Sequence, residues 1–234
     1  MDVNRPLRSE FAGWIAEHDW DVAFLQEAPP LWFRTFGERS RANGVRVLTS
    51  RNVLLPLQRL LANLSPDLIK SWEGGSNQLF VRAPGRVVEH RAMTLTRKPE
   101  RRRMVWARVL LPDGGTVSVA NLHASAGLPD KASAEVVAAA ANAVDWSGQD
   151  PLVFGGDLNL RPAREPGPFA DLRERFGLGD PTGPQAIDHL LTRGLEVVER
   201  PRRLPAEERE VLDGSGLRVR MSDHAPVVAG YEVK

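Results

Sequence analysis

Short apolar runs alternate along this chain with stretches of helical periodicity, and the runs repeatedly stop at a polar cluster. That alternation restricts the chain to an α/β architecture, because such short apolar runs fit buried strands and are too short for buried helices. Ser9 to Asp19 carries Phe11, Trp14 and Ile15 at helical spacing, with Ser9 placed to cap the helix, and Asp21 to Leu25 follows as a strand. Further strands are expected at Val45–Leu48, Gln78–Val81, Val87–His90, Val105–Leu111 and Val117–Leu122, the last two joined as a hairpin at Asp113-Gly114-Gly115. Lys131–Trp146 sets Val136, Val137, Ala140 and Val144 on one face of a helix ending at Gly148. Pro151–Phe154, Ala186–Leu191 and Val227–Val233 read as strands, Phe169–Phe176 as a short helix, and 200–218, rich in charge with Pro201 and Pro205, as a surface excursion. Hairpins beside helical crossovers imply mixed sheets with helices outside, in one domain spanning 1–234.

Composition narrows the function. The 234 residues contain 31 basic and 30 acidic side chains, a formal net charge of +1, so the body does not grip nucleic acid by bulk charge. With no cysteine there is neither a disulfide nor a thiolate metal site, and any metal must be held by oxygen or imidazole. No apolar run approaches the length of a membrane span, and the opening Met1-Asp2-Val3-Asn4-Arg5-Pro6 lacks a secretory leader's apolar core, so a cytoplasmic monomer without an obligate protein partner is expected.

Five strand ends carry five polar clusters: Gln26-Glu27, Asn121-Leu122-His123, Gly155-Gly156-Asp157-Leu158-Asn159, Ile187-Asp188-His189 and Ser222-Asp223-His224-Ala225-Pro226. Strand-terminal loops on one sheet edge converge, and strands hold side chains rigidly enough for chemistry. In extended backbone Asp157 and Asn159 project to the same side while Leu158 points into the core. Gly155 and Gly156 permit a turn or the close approach of another group. Carboxylates and amides without thiols suit Mg²⁺ or Mn²⁺. His189, next to Asp188 and facing away from it in a strand, reads as structural, as do His18 and His90, and the six tryptophans read as core or rim.

These clusters, in this order over most of the chain, resemble the endonuclease/exonuclease/phosphatase family. The resemblance implies a four-layer α/β sandwich of two mixed β-sheets flanked by helices. It implies a magnesium-dependent phosphoesterase that hydrolyses phosphodiester bonds by in-line attack of an activated water, with nucleic acid the leading substrate. A lipid or inositol phosphodiester and a small phosphomonoester are the enzymic alternatives, and a degenerate binding module is the alternative of another class. The short span between Thr182 and Ile187 disfavours a lesion-recognition insertion.

Carried over by position, Glu27 is the principal metal ligand, and Asp223 is either a further ligand or the orienter of His224, which contacts the scissile phosphate. Asp157 orients or deprotonates the water, Asn159 holds a phosphoryl oxygen, Asp188 buttresses an imidazole, and His123 matches a second catalytic histidine. Base duty is left open between Asp157 and a His–Asp pair. Arg102, in the run Arg101-Arg102-Arg103, is a candidate phosphate contact. Asn77 either approaches substrate or forms a turn, and the Thr182 hydroxyl either reaches phosphate or caps a turn. Family members open with a strand ending in a metal-binding Asn. Here Asp2 falls at that position, with Asn4 as the other candidate, so most of a first strand is expected to be missing.

Overall fold

A computed structural model of the protein describes residues 7–49, 75–98, 100–212 and 216–233. Asp2, Asn4 and Trp72 therefore lie outside the described residues. The elements in chain order are α1 (Arg8–Glu17), β1 (Val22–Ala28), α2 (Phe33–Ser40), β2 (Ala42–Leu48), β3 (Ser76–Arg82), β4 (Arg86–Thr96), β5 (Arg102–Leu110) and β6 (Thr116–His123). They continue with α3 (Pro129–Ser147), β7 (Leu152–Asp157), α4 (Pro166–Phe176), β8 (Asp188–Arg193), β9 (Leu195–Arg203), β10 (Glu210–Leu212), β11 (Arg218–Arg220) and β12 (Val227–Val233).

Burial on both faces explains the strongest strands. Along β5, Met104 and Trp106 face one way and Val105, Ala107 and Val109 the other, and all five are buried. The first pair joins Ala120, Leu122 and Phe154 in a core under α3 and α4. The second set meets Leu79 and Val81 of β3 and Val117 and Val119 of β6 between two sheets. A third core, Ala12, Ile15, Phe36 and Phe80, fixes α1 and α2 on the far side of β3. Three apolar interfaces thus separate four layers, helix, sheet, sheet and helix, which is the expected sandwich.

One sheet runs β4-β5-β6-β7-β8 and the other β1-β3-β2, with β9–β12 as a separate antiparallel pair. Within the first sheet only β6 and β7 are parallel, and the α3 crossover joins them. Tyr231 of β12 donates to the Leu190 carbonyl of β8 at 2.9 Å, and Leu195 packs into the inter-sheet core, which puts this pair in the layer of β1–β3–β2. Among the described residues, the edge of β1 away from β3 and the edge of β12 away from β9 have no strand partner. Both strands line one depression of about 1660 Å³, floored by Val117, Val119 and Val153.

The structure corrects two local expectations and adds one helix. Ser9 does not cap α1: the helix starts at Arg8, and the Ser9 hydroxyl donates to the Glu10 carboxylate at 2.7 Å. The 200–218 segment is more than an excursion, since β9 runs into it and pairs with β12, while β10 and β11 form a ribbon. Helix α2 was not anticipated. No helix among the described residues is long and apolar enough to cross a membrane.

Candidate active site

Strand register assembles the site. His123 at the end of β6 pairs with Asp157 at the end of β7, and Asp157 pairs with Asp188 at the start of β8, so three functional groups stand side by side across three strands. Asp188 in turn accepts a hydrogen bond from Nδ1 of His224 at 3.0 Å. One ligating atom from each of Asp157, Asp188 and His224 lies within 4.8 Å of the others.

Glu27 arrives by a different device. β1 and β3 are in register up to Leu25↔Gln78 and resume at Ala28↔Ser76, so Gln26 and Glu27 together stand against Asn77 as a bulge. Glu27 has φ of 53°, a left-handed conformation costing a non-glycine residue about 1–3 kcal/mol. The bulge swings its carboxylate to the His123 side, with Oε1 3.6 Å from His123 Nδ1 and 3.9 Å from Arg102 Nη1. His123 Nε2 lies 3.4 Å from Asp157 Oδ2, so this imidazole stands between the two carboxylates. Arg102 is also paired with Glu100 at 2.9 Å, a partner that sequence reading did not identify.

The chain turns after β7 rather than running on extended, with Asn159 at a φ of 52°. Asp157 Oδ1 accepts the Asn159 backbone N–H at 3.0 Å, an Asx turn, and Asp157 still faces the cluster. Leu158 is buried as expected, and the Asn159 amide donates to the Ala124 carbonyl at 3.1 Å. Both glycines are required by close approach. A Cβ at Gly155 would stand 1.9 Å from the His189 carbonyl oxygen, and one at Gly156, where φ is +113°, would stand 2.7 Å from Asn121 Oδ1.

Burial and charge set the protonation states. Burial, reinforced by the neighbouring Asp188 charge, pushes the Asp157 carboxyl up to about 6. Burial, with help from the Arg102 and His224 charges, lowers His123 to about 3 and keeps it neutral. At His224 burial works downward, but the Asp188 charge and hydrogen bond, with Asp157 and Asp223, outweigh it and raise the pKa. His189 is structural as expected: Nδ1 accepts the Thr182 N–H, Nε2 donates to the Leu160 and Ala186 carbonyls, and burial lowers its pKa.

Glu27, Arg102, His123, Asp157, Asn159, Asp188, Asp223 and His224 all line the depression described above. Asp223 is exposed beside His224, and its backbone carbonyl accepts from the Arg209 guanidinium. Asn77 and Thr182 do not line the cleft. Asn77 is fully buried and donates to the Arg103 carbonyl at 2.7 Å, leaving Oδ1 without a partner, and the Thr182 hydroxyl is likewise buried and unpaired among the described residues. The chemistry of the donor set fits a hard divalent cation, because clustered carboxylates that repel one another gain most from an oxygen-seeking ion.

The helix–sheet–sheet–helix sandwich thus gathers acids, amides and imidazoles at one end of its strands. The chain belongs to the Endonuclease/Exonuclease/phosphatase family, whose model it matches over residues 3–224. Members of this family are divalent-metal-dependent hydrolases of phosphoester bonds. No curated protein matches the chain in sequence. Among solved structures, a mannosyl-6-phosphatase from Bacteroides thetaiotaomicron VPI-5482 superposes with a TM-score of 0.70 at 15% identity, covering 96% of this chain and 90% of that one. D. rerio TDP2 complexed with a single-strand DNA product gives 0.62 at 12% identity, with 97% and 91% covered. A functionally unknown conserved protein from Enterococcus faecalis V583 gives 0.69 at 16% identity, with 97% and 91% covered. At these identities the likeness establishes the shared fold.

Proposed function

We propose that the protein is a Mg²⁺- or Mn²⁺-dependent phosphodiesterase acting on nucleic acid by in-line attack of water. The observation that carries this reading is the His224–Asp188 pair beside Asp157 and across from Glu27 in one open cleft. Glu27 and Asp223 would hold the ion, with Asp2 as a further candidate, and the ion would supply positive charge to the phosphoryl group and its leaving oxygen.

Each remaining group has a task that its environment suits. Asp157, with a pKa near 6, is ionised at neutral pH yet basic enough to orient water and accept its proton. His224 stays protonated to higher pH than an ordinary imidazole because Asp188 holds its Nδ1 proton, so it can neutralise charge building on the nonbridging oxygens. Asp188 positions that ring. Neutral His123 offers a hydrogen-bond donor without adding charge, Asn159 offers an amide to a phosphoryl oxygen, and Arg102 offers its guanidinium at the cleft wall.

The open cleft and the fold shared with a TDP2 bound to single-strand DNA support a polymeric substrate. A small phosphomonoester is the second reading, favoured by the fold shared with a mannosyl-6-phosphatase. The test is metal-dependent cleavage of plasmid DNA, bis-p-nitrophenyl phosphate and a sugar phosphate by wild type, Glu27→Ala and His224→Ala. Loss of about 100-fold or more in both variants is expected. Equal rates in all three proteins reject the site, and turnover of the sugar phosphate alone selects the second reading.

A further inference from the structure

The strained turn that presents Glu27 needs a support, and its own side chain supplies little. The Glu27 carboxylate is 68% exposed, and its contacts at 3.6 and 3.9 Å are too long for hydrogen bonds. The support comes from the other sheet. Asn121 of β6 is fully buried and spends both amide hydrogens on β1 and β3, donating to the Leu25 carbonyl at 3.1 Å and the Gln78 carbonyl at 2.8 Å. Its Oδ1 accepts from Gln26 Nε2 at 2.6 Å. Leu25↔Gln78 is the last regular pair before the bulge, and Gln26 is the bulge's first residue.

We infer that Asn121 and Gln26 form an inter-sheet amide clasp that fixes the Glu27 turn against His123 and Asp157, making both amides positioning residues for the metal site. This rests on the function proposed above. Asn121 and His123 are two apart on β6 and share a strand face, so the clasp and the imidazole beside Glu27 are set by one rigid element. Gly156 belongs to the same device. A Cβ there would press first on the Leu122 backbone oxygen, and then on Asn121 Oδ1 at 2.7 Å and Gln26 Nε2 at 2.9 Å, so the glycine preceding Asp157 lets the neighbouring strand approach and also leaves room for the amide pair. The hydrogen-bonded knot between the sheets thereby holds the Glu27 turn and packs against the glycine that leads into the Asp157 turn.

The test uses Gln26→Leu, which removes one bond at a half-buried position, and Asn121→Asp, which keeps the side chain's shape. Mn²⁺ binding, followed by electron paramagnetic resonance of the free ion, is expected to weaken about 10- to 100-fold in each variant, with kcat recovering in part at high metal. Crystals of metal-free Gln26→Leu are expected to show Glu27 relaxed to negative φ, a readout that needs neither metal nor turnover. Unchanged Mn²⁺ affinity together with a retained left-handed Glu27 overturns the clasp, even if the melting temperature falls. Wild-type protein that binds no Mn²⁺ and cleaves no phosphoester instead overturns the proposed function, while the crystallographic result still decides whether the clasp holds the turn.

Discussion

Replacing Asp157 by Asn should make the metal-free protein more stable and the enzyme nearly inactive. Asp157 is buried beside Asp188, and its carboxyl is pushed from 3.8 to about 6, chiefly by burial. A rise of about two pKa units corresponds to about 3 kcal/mol of penalty on the ionised form. Because the folded pKa lies above the unfolded one, that penalty is absent below about 4, grows as pH rises towards 6 and is fully present above it. The amide carries no charge and keeps an oxygen for the Asn159 N–H at 3.0 Å, so the variant escapes the penalty at pH 7.5. About 3 kcal/mol is an upper limit and translates to roughly 6–12 °C in Tm for a chain of this size. The expected result is a higher Tm than wild type in EDTA at pH 7.5, a smaller rise on adding Mg²⁺, and a rate on bis-p-nitrophenyl phosphate lower by about 10²–10⁴. A lower Tm in EDTA, or an unchanged rate, refutes the electrostatic account of this carboxylate.

Two other outcomes follow from the same geometry. The kcat/KM profile should fall on the acid side at or below about pH 6 as Asp157 takes up its proton, and on the alkaline side above the usual imidazole range as His224 loses its own; a rate that keeps rising below pH 6 contradicts the assignment of Asp157. Gly155→Ala should cost about 3 kcal/mol or more, because the new Cβ stands 1.9 Å from the His189 backbone oxygen and β7 must separate from β8. A denaturation midpoint matching wild type excludes that reason for the glycine.

The strands that sequence reading located best are those with apolar residues on both faces, such as β5 and β6, whose Val105, Trp106, Val117 and Val119 leave few alternatives to burial. β9 escaped notice because Glu196, Glu199 and Pro201 interrupt its apolar positions, as suits a strand paired only with β12 among the described residues. Helix α2 was hidden by its eight-residue length and by Gly37 in its middle.

At the site, the clusters at the ends of β1, β6 and β7 were legible because each follows a largely apolar stretch, whereas Asp188 begins β8 and Asp223-His224 lie in the loop before β12. The bulge was not, since Leu25-Gln26-Glu27-Ala28 carries no glycine or proline to announce a left-handed residue. The amide clasp was invisible for a different reason: Gln26 and Asn121 are 95 positions apart, and only the stacking of two sheets joins them. Asn77 and Thr182 were expected either to reach substrate or to serve a turn, and tertiary packing instead buries the first fully within β3 and buries the hydroxyl of the second.

The most direct measurement of the central claim is anomalous diffraction from crystals soaked in Mn²⁺. A single strong peak within about 2.5 Å of a Glu27 carboxylate oxygen, inside the cleft walled by Asp157 and His224, is the expected result. A map with no peak there, or with the ion held by carboxylates on another face, contradicts it.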